Sequence, residues 1–149
     1  MWVEGIRSAL LAVGVGLATA QAAWAAGPLG NWLTEDNEAR IRIAKCGSGT
    51  LCGTITALRE PRDPITRRPK TDEHNRDPRL RRRPLIGVRI IVGMRPGQRP
   101  GEWVGRVYNP DDGGNYPAKI LMRDGRSLRL EGCIIPDALC SGQTWRRTR

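Results

Sequence analysis

The chain is 149 residues long, with 25 Lys and Arg against 15 Asp and Glu, a net charge of +10, four Cys, one His and no Phe. That length fits one domain with room for a core, and four Cys in no C-x-x-C spacing beside a single His argue against a zinc site or a redox-active pair. Beyond the first two dozen residues no run is long and apolar enough to span a bilayer as a helix, and the positive charge favours polyanionic surfaces as partners while saying nothing of fold.

Residues 1–25 read as a signal peptide. Arg7 and the amino terminus form a positive region diluted by Glu4, Ala9 to Ala20 is uncharged and apolar, and Ala23-Trp24-Ala25 is an A-x-A cleavage pattern. No Cys follows that pattern, which argues against a lipid anchor. The expectation is a mature chain of one domain, residues 26–149, periplasmic or secreted in a bacterium, with no stable membrane span after cleavage. Nucleic acid is scarce in that compartment and is excluded as a partner. Lipopolysaccharide, anionic phospholipid headgroups and acidic wall polymers are the polyanions available there.

The mature chain then reads as strands separated by Gly, Asp, Asn and Pro. Gly30-Asn31-Trp32 opens it. Ala39 to Cys46 alternates, with Ile41 and Ile43 on one face and Arg40 and Arg42 on the other, the period of a half-buried strand. Gly47-Ser48-Gly49 turns the chain, and Leu51 to Leu58 returns with Leu51, Ile55 and Ala57 on one side. Arg59 to Pro84 is long, irregular and dense in Pro and charge, the kind of loop that is usually functional. Leu85 to Met94 is expected as the most apolar strand, with Ile86, Val88, Ile90 and Val92 on one face. Arg95 to Gly101 is a loop, Glu102 to Tyr108 a strand, and Asn109 to Asn115 a turn by composition. Tyr116 to Arg123 alternates again, Asp124-Gly125 fits a two-residue type I′ hairpin turn, Ser127 to Cys133 follows, and Thr144 to Arg147 is a last short strand. About eight short strands joined by turns predict an all-β, small antiparallel barrel, whose closure removes exposed edges.

Four Cys allow three disulfide connectivities. Proximity favours Cys46–Cys52 and Cys133–Cys140, each closing a short loop, and each link stabilises by about 2–3 kcal/mol in the chain-entropy account. Small exported domains use such staples, which agrees with the leader.

The ordered motifs of the chain resemble the bacterial family catalogued as domain of unknown function 2147, made of small exported proteins. They stand here as Gly30-x-Trp32, Leu51-Cys52-Gly53-x-Ile55, Asp72-x-x-Asn75-x-Asp77-x-x-Leu80-Arg81-x-Arg83-Pro84-Leu85-x-Gly87, Trp103-x-Gly105-x-Val107-Tyr108-Asn109-Pro110-x-Asp112-Gly113-x-x-Tyr116, Leu128-x-Leu130-x-Gly132 and Gly142-Gln143-Thr144-Trp145-x-Arg147. Arg106 departs from the pattern, where a second Gly often stands. The resemblance covers Gly30 to Arg147 and implies an exported β-rich fold with no established activity. The opening Gly-x-Trp and closing Trp-x-Arg look like the barrel-closing signature of lipocalin-like proteins, a likeness of fold that carries no function by itself.

The segment from Asp72 to Gly87 is the main candidate site. Asp72, Asn75 and Asp77 stand beside Arg79, Arg81 and Arg83. Clustered guanidinium groups suit bidentate capture of a carboxylate or phosphate, and the same acids can instead pair with those arginines and tie the loop to the barrel. Trp32, Trp103, Trp145 and Tyr108 are the large aromatics of the barrel, candidates for lining a ligand cavity, with Trp103 and Tyr108 foremost, or core filler in a chain without Phe. A barrel of about eight strands is either filled by side chains or holds one small ligand. His74 has no nucleophile–base set around it, and Asp111, Asp112 and Asn115 lack the spacing of a calcium loop. No cofactor is implied.

The reading is therefore an uncharacterised exported envelope protein that binds a small apolar or anionic ligand, such as a lipid, a wall fragment or lipopolysaccharide, without catalysis. The alternatives are a hydrolase-type enzyme acting on an envelope glycan or lipid through Asp72, Asn75 and Asp77, or a structural, partner-binding module.

Overall fold

Apolar residues at every second position give each segment one wet and one dry face, and eight such segments close on one another. The computed structural model describes residues 27–136 and 138–149; the leader expected over residues 1–25 lies outside them. The strands are β1 (Gly30–Leu33), β2 (Ala39–Gly47), β3 (Thr50–Leu58), β4 (Arg89–Pro96), β5 (Glu102–Asn109), β6 (Gly114–Met122), β7 (Ser127–Ile135) and β8 (Leu139–Thr148). Each pairs antiparallel with the next, and β8 returns to β1, so the barrel is closed in simple up-and-down order. Trp32, Ile41, Ile43, Leu51, Ile91, Met94, Ile120, Leu128 and Trp145 are buried inside it. Among the described residues no helix is long and apolar enough to cross a membrane.

Three local expectations change. The strand expected from Leu85 begins only at Arg89, and Ile86 is exposed while Ile91 is fully buried. The register of β4 against β3 shifts twice, which breaks the simple alternation: Ile91 faces Gly53 and Met94 faces Leu51, so three residues of β4 span two of β3. A Cβ on Gly53 would lie 2.9 Å from the Ile91 side chain, so the glycine makes room for it. The turn at Asp124-Gly125 is not type I′, because neither residue has a positive φ. The Asp124 carboxylate instead accepts the N–H groups of Arg126 and Ser127 at 2.7 and 2.6 Å and shapes a wider loop. The last strand starts at Leu139 rather than Thr144, since Cys133 and Cys140 face each other across β7 and β8 and their disulfide extends the hairpin. Cys46 and Cys52 form the second disulfide, at the tip of the β2–β3 hairpin.

The two ends of the barrel differ. At the base, the short turns after β2, β4 and β6 meet the segment entering β1 from Gly27 and the end of β8. Trp32 is fully buried there and donates its Nε1–H to the carbonyl of Pro28, itself buried, at 2.8 Å. The Arg147 guanidinium stacks 4.3 Å from the Trp32 ring and donates to the carbonyls of Gly125, Leu29 and Gly27. One side chain thus ties β8 to the β6–β7 loop and to the segment entering β1. At the other end, the mouth, stand residues 34–38, 59–88, 110–113, 136 and 138. Residues 59–88 are an ordered strap, with bridges Arg62–Pro69 and Thr71–Pro84 and one 3₁₀ turn, Pro78–Leu80, capped by the Asp77 carboxylate.

Candidate functional site

A cavity of about 510 Å³ opens at the mouth. Its inner end is formed by Ile41, Ile55, Ile90, Val107, Leu130 and Trp145, the lining residues on their strands that stand furthest from the mouth loops. Its rim carries Thr34, Asp36, Glu38, Asp111, Asp112 and Gln143. The space exists because inward positions near the mouth are small: Ala39, Gly132 and Ser141 stand where the base has Trp and Met. A Cβ on Gly132 would lie 3.0 Å from Val107, so even one methyl would crowd the wall. Few polar groups interrupt the apolar lining, and they are already held. Trp145 donates to Gln143 at 3.0 Å, and Tyr116 donates to Asp112 at 2.8 Å. A volume in this range with apolar walls and a polar rim is the form of a small-molecule pocket.

The rim carboxylates are set by local donors. The Thr34 hydroxyl, outweighing partial burial, and the Glu38 N–H hold Asp36 below the ordinary carboxylate range. Burial pushes Asp112 up, but the Gly114 N–H, Tyr116 and Asn109 outweigh it and the net shift is downward.

The strap is pinned at the side of this mouth by a buried cluster. Asp72, fully buried, accepts from the Tyr108 hydroxyl at 2.5 Å, from Asn75 Nδ2 at 2.8 Å, and from Arg83 at 2.9 and 2.7 Å. Asn75 also donates to Tyr108, and its own Oδ1 accepts the Asp77 N–H. Burial raises the Asp72 carboxyl, and the bonds from Tyr108, Asn75 and Arg83 more than reverse this, leaving it below the usual range. The same burial and the charge of Asp72 push the Tyr108 phenol up to about 12. Tyr108 pairs in register with Asn115, whereas its neighbour Val107 faces inward onto the cavity. The phenol is held under the strap by Asp72 and Asn75, and Tyr108 also counts among the residues that line the cavity.

The residues singled out in the sequence fall in three places. Asp72, Asn75, Arg83 and Tyr108 meet in the pin. Asp77 and Arg79 pair on the surface at 2.9 Å, and Arg81 donates to the Asn75 carbonyl at 2.8 Å. None of the three arginines lines the mouth cavity. Trp103 lies toward the other end of β5, half-buried near Gly27 and away from that cavity. His74 is exposed on the strap. Asp112, far from converging on an ion, braces the turn from Asn109 to Tyr116. Of the aromatics named as possible cavity lining, Tyr108 and Trp145 line the mouth cavity; the other lining residues escaped the sequence reading because period-2 alternation tells which residues point inward but not whether the interior is filled.

Comparison with known proteins fits this geometry. A family model described as an uncharacterized protein conserved in bacteria, DUF2147, matches residues 30–147. A solved structure of Helicobacter pylori HP1028, described as belonging to the lipocalin family, superposes with a TM-score of 0.65 over 81% of this chain and 82% of that one, at 20% sequence identity. A search of curated proteins finds no match.

Proposed function

We propose, from the premise that this chain belongs to the DUF2147 family and folds as a lipocalin-like barrel, that it binds a small apolar ligand in the mouth cavity. One observation carries the reading: an apolar cavity of about 510 Å³ open at one end of a barrel whose other end is sealed. Burying apolar ligand surface there is favourable by about 25 cal/mol per Å² before association costs. The reading is of binding without turnover, because the strap carboxylates are committed: Asp72 to three protein donors and Asp77 to its 3₁₀ turn and Arg79. The ligand enters over the rim; Asp72, Asn75 and Arg83 hold the strap in place outside the cavity, and Tyr108 both joins that pin and lines the cavity.

Two disulfides close on short loops, and no free thiol remains among the described residues. They support an oxidising location, periplasmic or extracellular, in a bacterium. Native mass spectrometry of protein purified from that compartment tests the function directly. A retained apolar molecule, released on unfolding, is the expected result. Protein that arrives without one and also fails to enhance the fluorescence of the neutral probe N-phenylnaphthylamine would overturn the proposal.

A further inference from the structure

The mouth cavity does not end at the rim. A second hollow, a groove of about 800 Å³ between the strap and the β5–β6 turn, shares Leu85, Pro110 and Asp111 with it. Leu85 and Pro110 thus form a sill between an apolar chamber and a polar one. The groove is lined by Asp63, Arg68, Lys70, Glu73, Arg82 and Asp111, three charges of each sign, yet among the described residues none of these makes an ion pair with another. Asp63 is held by the N–H groups of Ile65 and Thr66 and feels Lys70 at longer range. The side chains of Arg68, Glu73, Arg82 and Asp111 are exposed and, among the described residues, make no hydrogen bond or ion pair. Opposite charges around one hollow, held apart on the braced strap and the β5–β6 turn, leave room for a guest that carries both signs.

We infer that the groove receives the headgroup of an amphiphile whose tail occupies the mouth cavity, and that this headgroup is zwitterionic, a phosphate joined to an amine. Arg68, Arg82 and Lys70 meet the phosphate, a geometry guanidinium groups favour. Glu73 and Asp111 meet the ammonium. A purely anionic headgroup leaves the two carboxylates facing it, and a purely cationic one leaves the arginines, so each forfeits on one side what it gains on the other. The inference rests on the apolar-ligand reading and adds the class of ligand.

The test is displacement of N-phenylnaphthylamine from the full-length protein by three amphiphiles of matched chain length: lauroyl lysophosphatidylethanolamine, lauroyl lysophosphatidylglycerol and dodecylamine. The expected order puts the zwitterion first, with an inhibition constant about tenfold below either singly charged competitor, the ratio that one extra charge-assisted hydrogen bond gives. In Arg68→Ala/Arg82→Ala, and separately in Glu73→Gln, the probe binds as in the parent and the zwitterion loses its advantage. Equal displacement by all three amphiphiles, or an advantage that survives both variants, overturns the headgroup assignment and leaves the cavity reading intact. Absence of saturable probe binding to the parent protein overturns both.

Discussion

The base and the mouth of this barrel are built from the same strands and solve opposite problems. At the base, Trp32 fills the axis and Arg147 lies across it, giving up its donors to three backbone carbonyls. At the mouth, small residues leave the axis open, and order comes from outside the wall, through Asp72 under the strap. Stability at the base thus comes from packing and at the mouth from a polar pin. A packed base fails as a unit with the barrel, whereas a pin fails locally.

The largest expected effect breaks the base. Trp32→Ala removes a fully buried indole and is expected to cost about 3–5 kcal/mol, read as a lower denaturation midpoint for the whole chain in one transition. A loss under 1 kcal/mol would mean that Arg147 and Pro28 close the base without the ring.

The second breaks the pin. Asp72→Ala leaves Arg83 and Tyr108 without their acceptor. Because Arg83 is partly exposed, the cost falls near the low end for a broken pair, about 2–3 kcal/mol. It is expected to appear as protease cuts and fast hydrogen exchange within residues 59–88, with β1 and β8 still protected. Global unfolding with no earlier strap opening would erase the contrast between the two ends. Since the Asp72 carboxyl lies below its ordinary value, the pin is complete above about pH 4, where the unfolded chain's carboxylates are ionised, and weakens as pH falls below that.

The smallest sharpens the picture at the alkaline side. The Tyr108 phenol is raised from 10.0 to about 12, so its neutral form contributes stability that is complete below pH 10 and lost as pH rises through about 12. In a Tyr116→Phe background the tyrosinate absorbance reports Tyr108 alone and is expected to rise late. Titration near 10 would show the strap lifted in solution. Tyr108→Phe is expected to cost about 1 kcal/mol, the worth of one hydrogen bond.

The barrel was legible because its signals are local. Alternation marked β2 and β6, Cys spacing marked both staples, and Gly30-x-Trp32 with Trp145-x-Arg147 marked the strands that close it. Where the register shifts, at Ile91 and Met94 in β4, alternation misled, since each extra residue turns the following side chains over. The pin was visible as a cluster but not as a contact: Asp72 and Tyr108 lie 36 residues apart. Two aromatics of the cavity wall, Tyr108 and Trp145, were legible as candidates, but that the cavity is open was not. Its walls come from seven strands, and emptiness depends on volumes summed across them rather than on any one motif.

Gly27 and Thr148 sit at the same pole, the first bound to Arg147 and the second beside Asn31 of β1. Any tag, tether or neighbouring module joined directly ahead of Gly27 or after Arg149 therefore departs antipodal to the aperture. Protein immobilised through either extension would present its portal to the bathing solution, and a fusion at both ends would hang from one side as a pair.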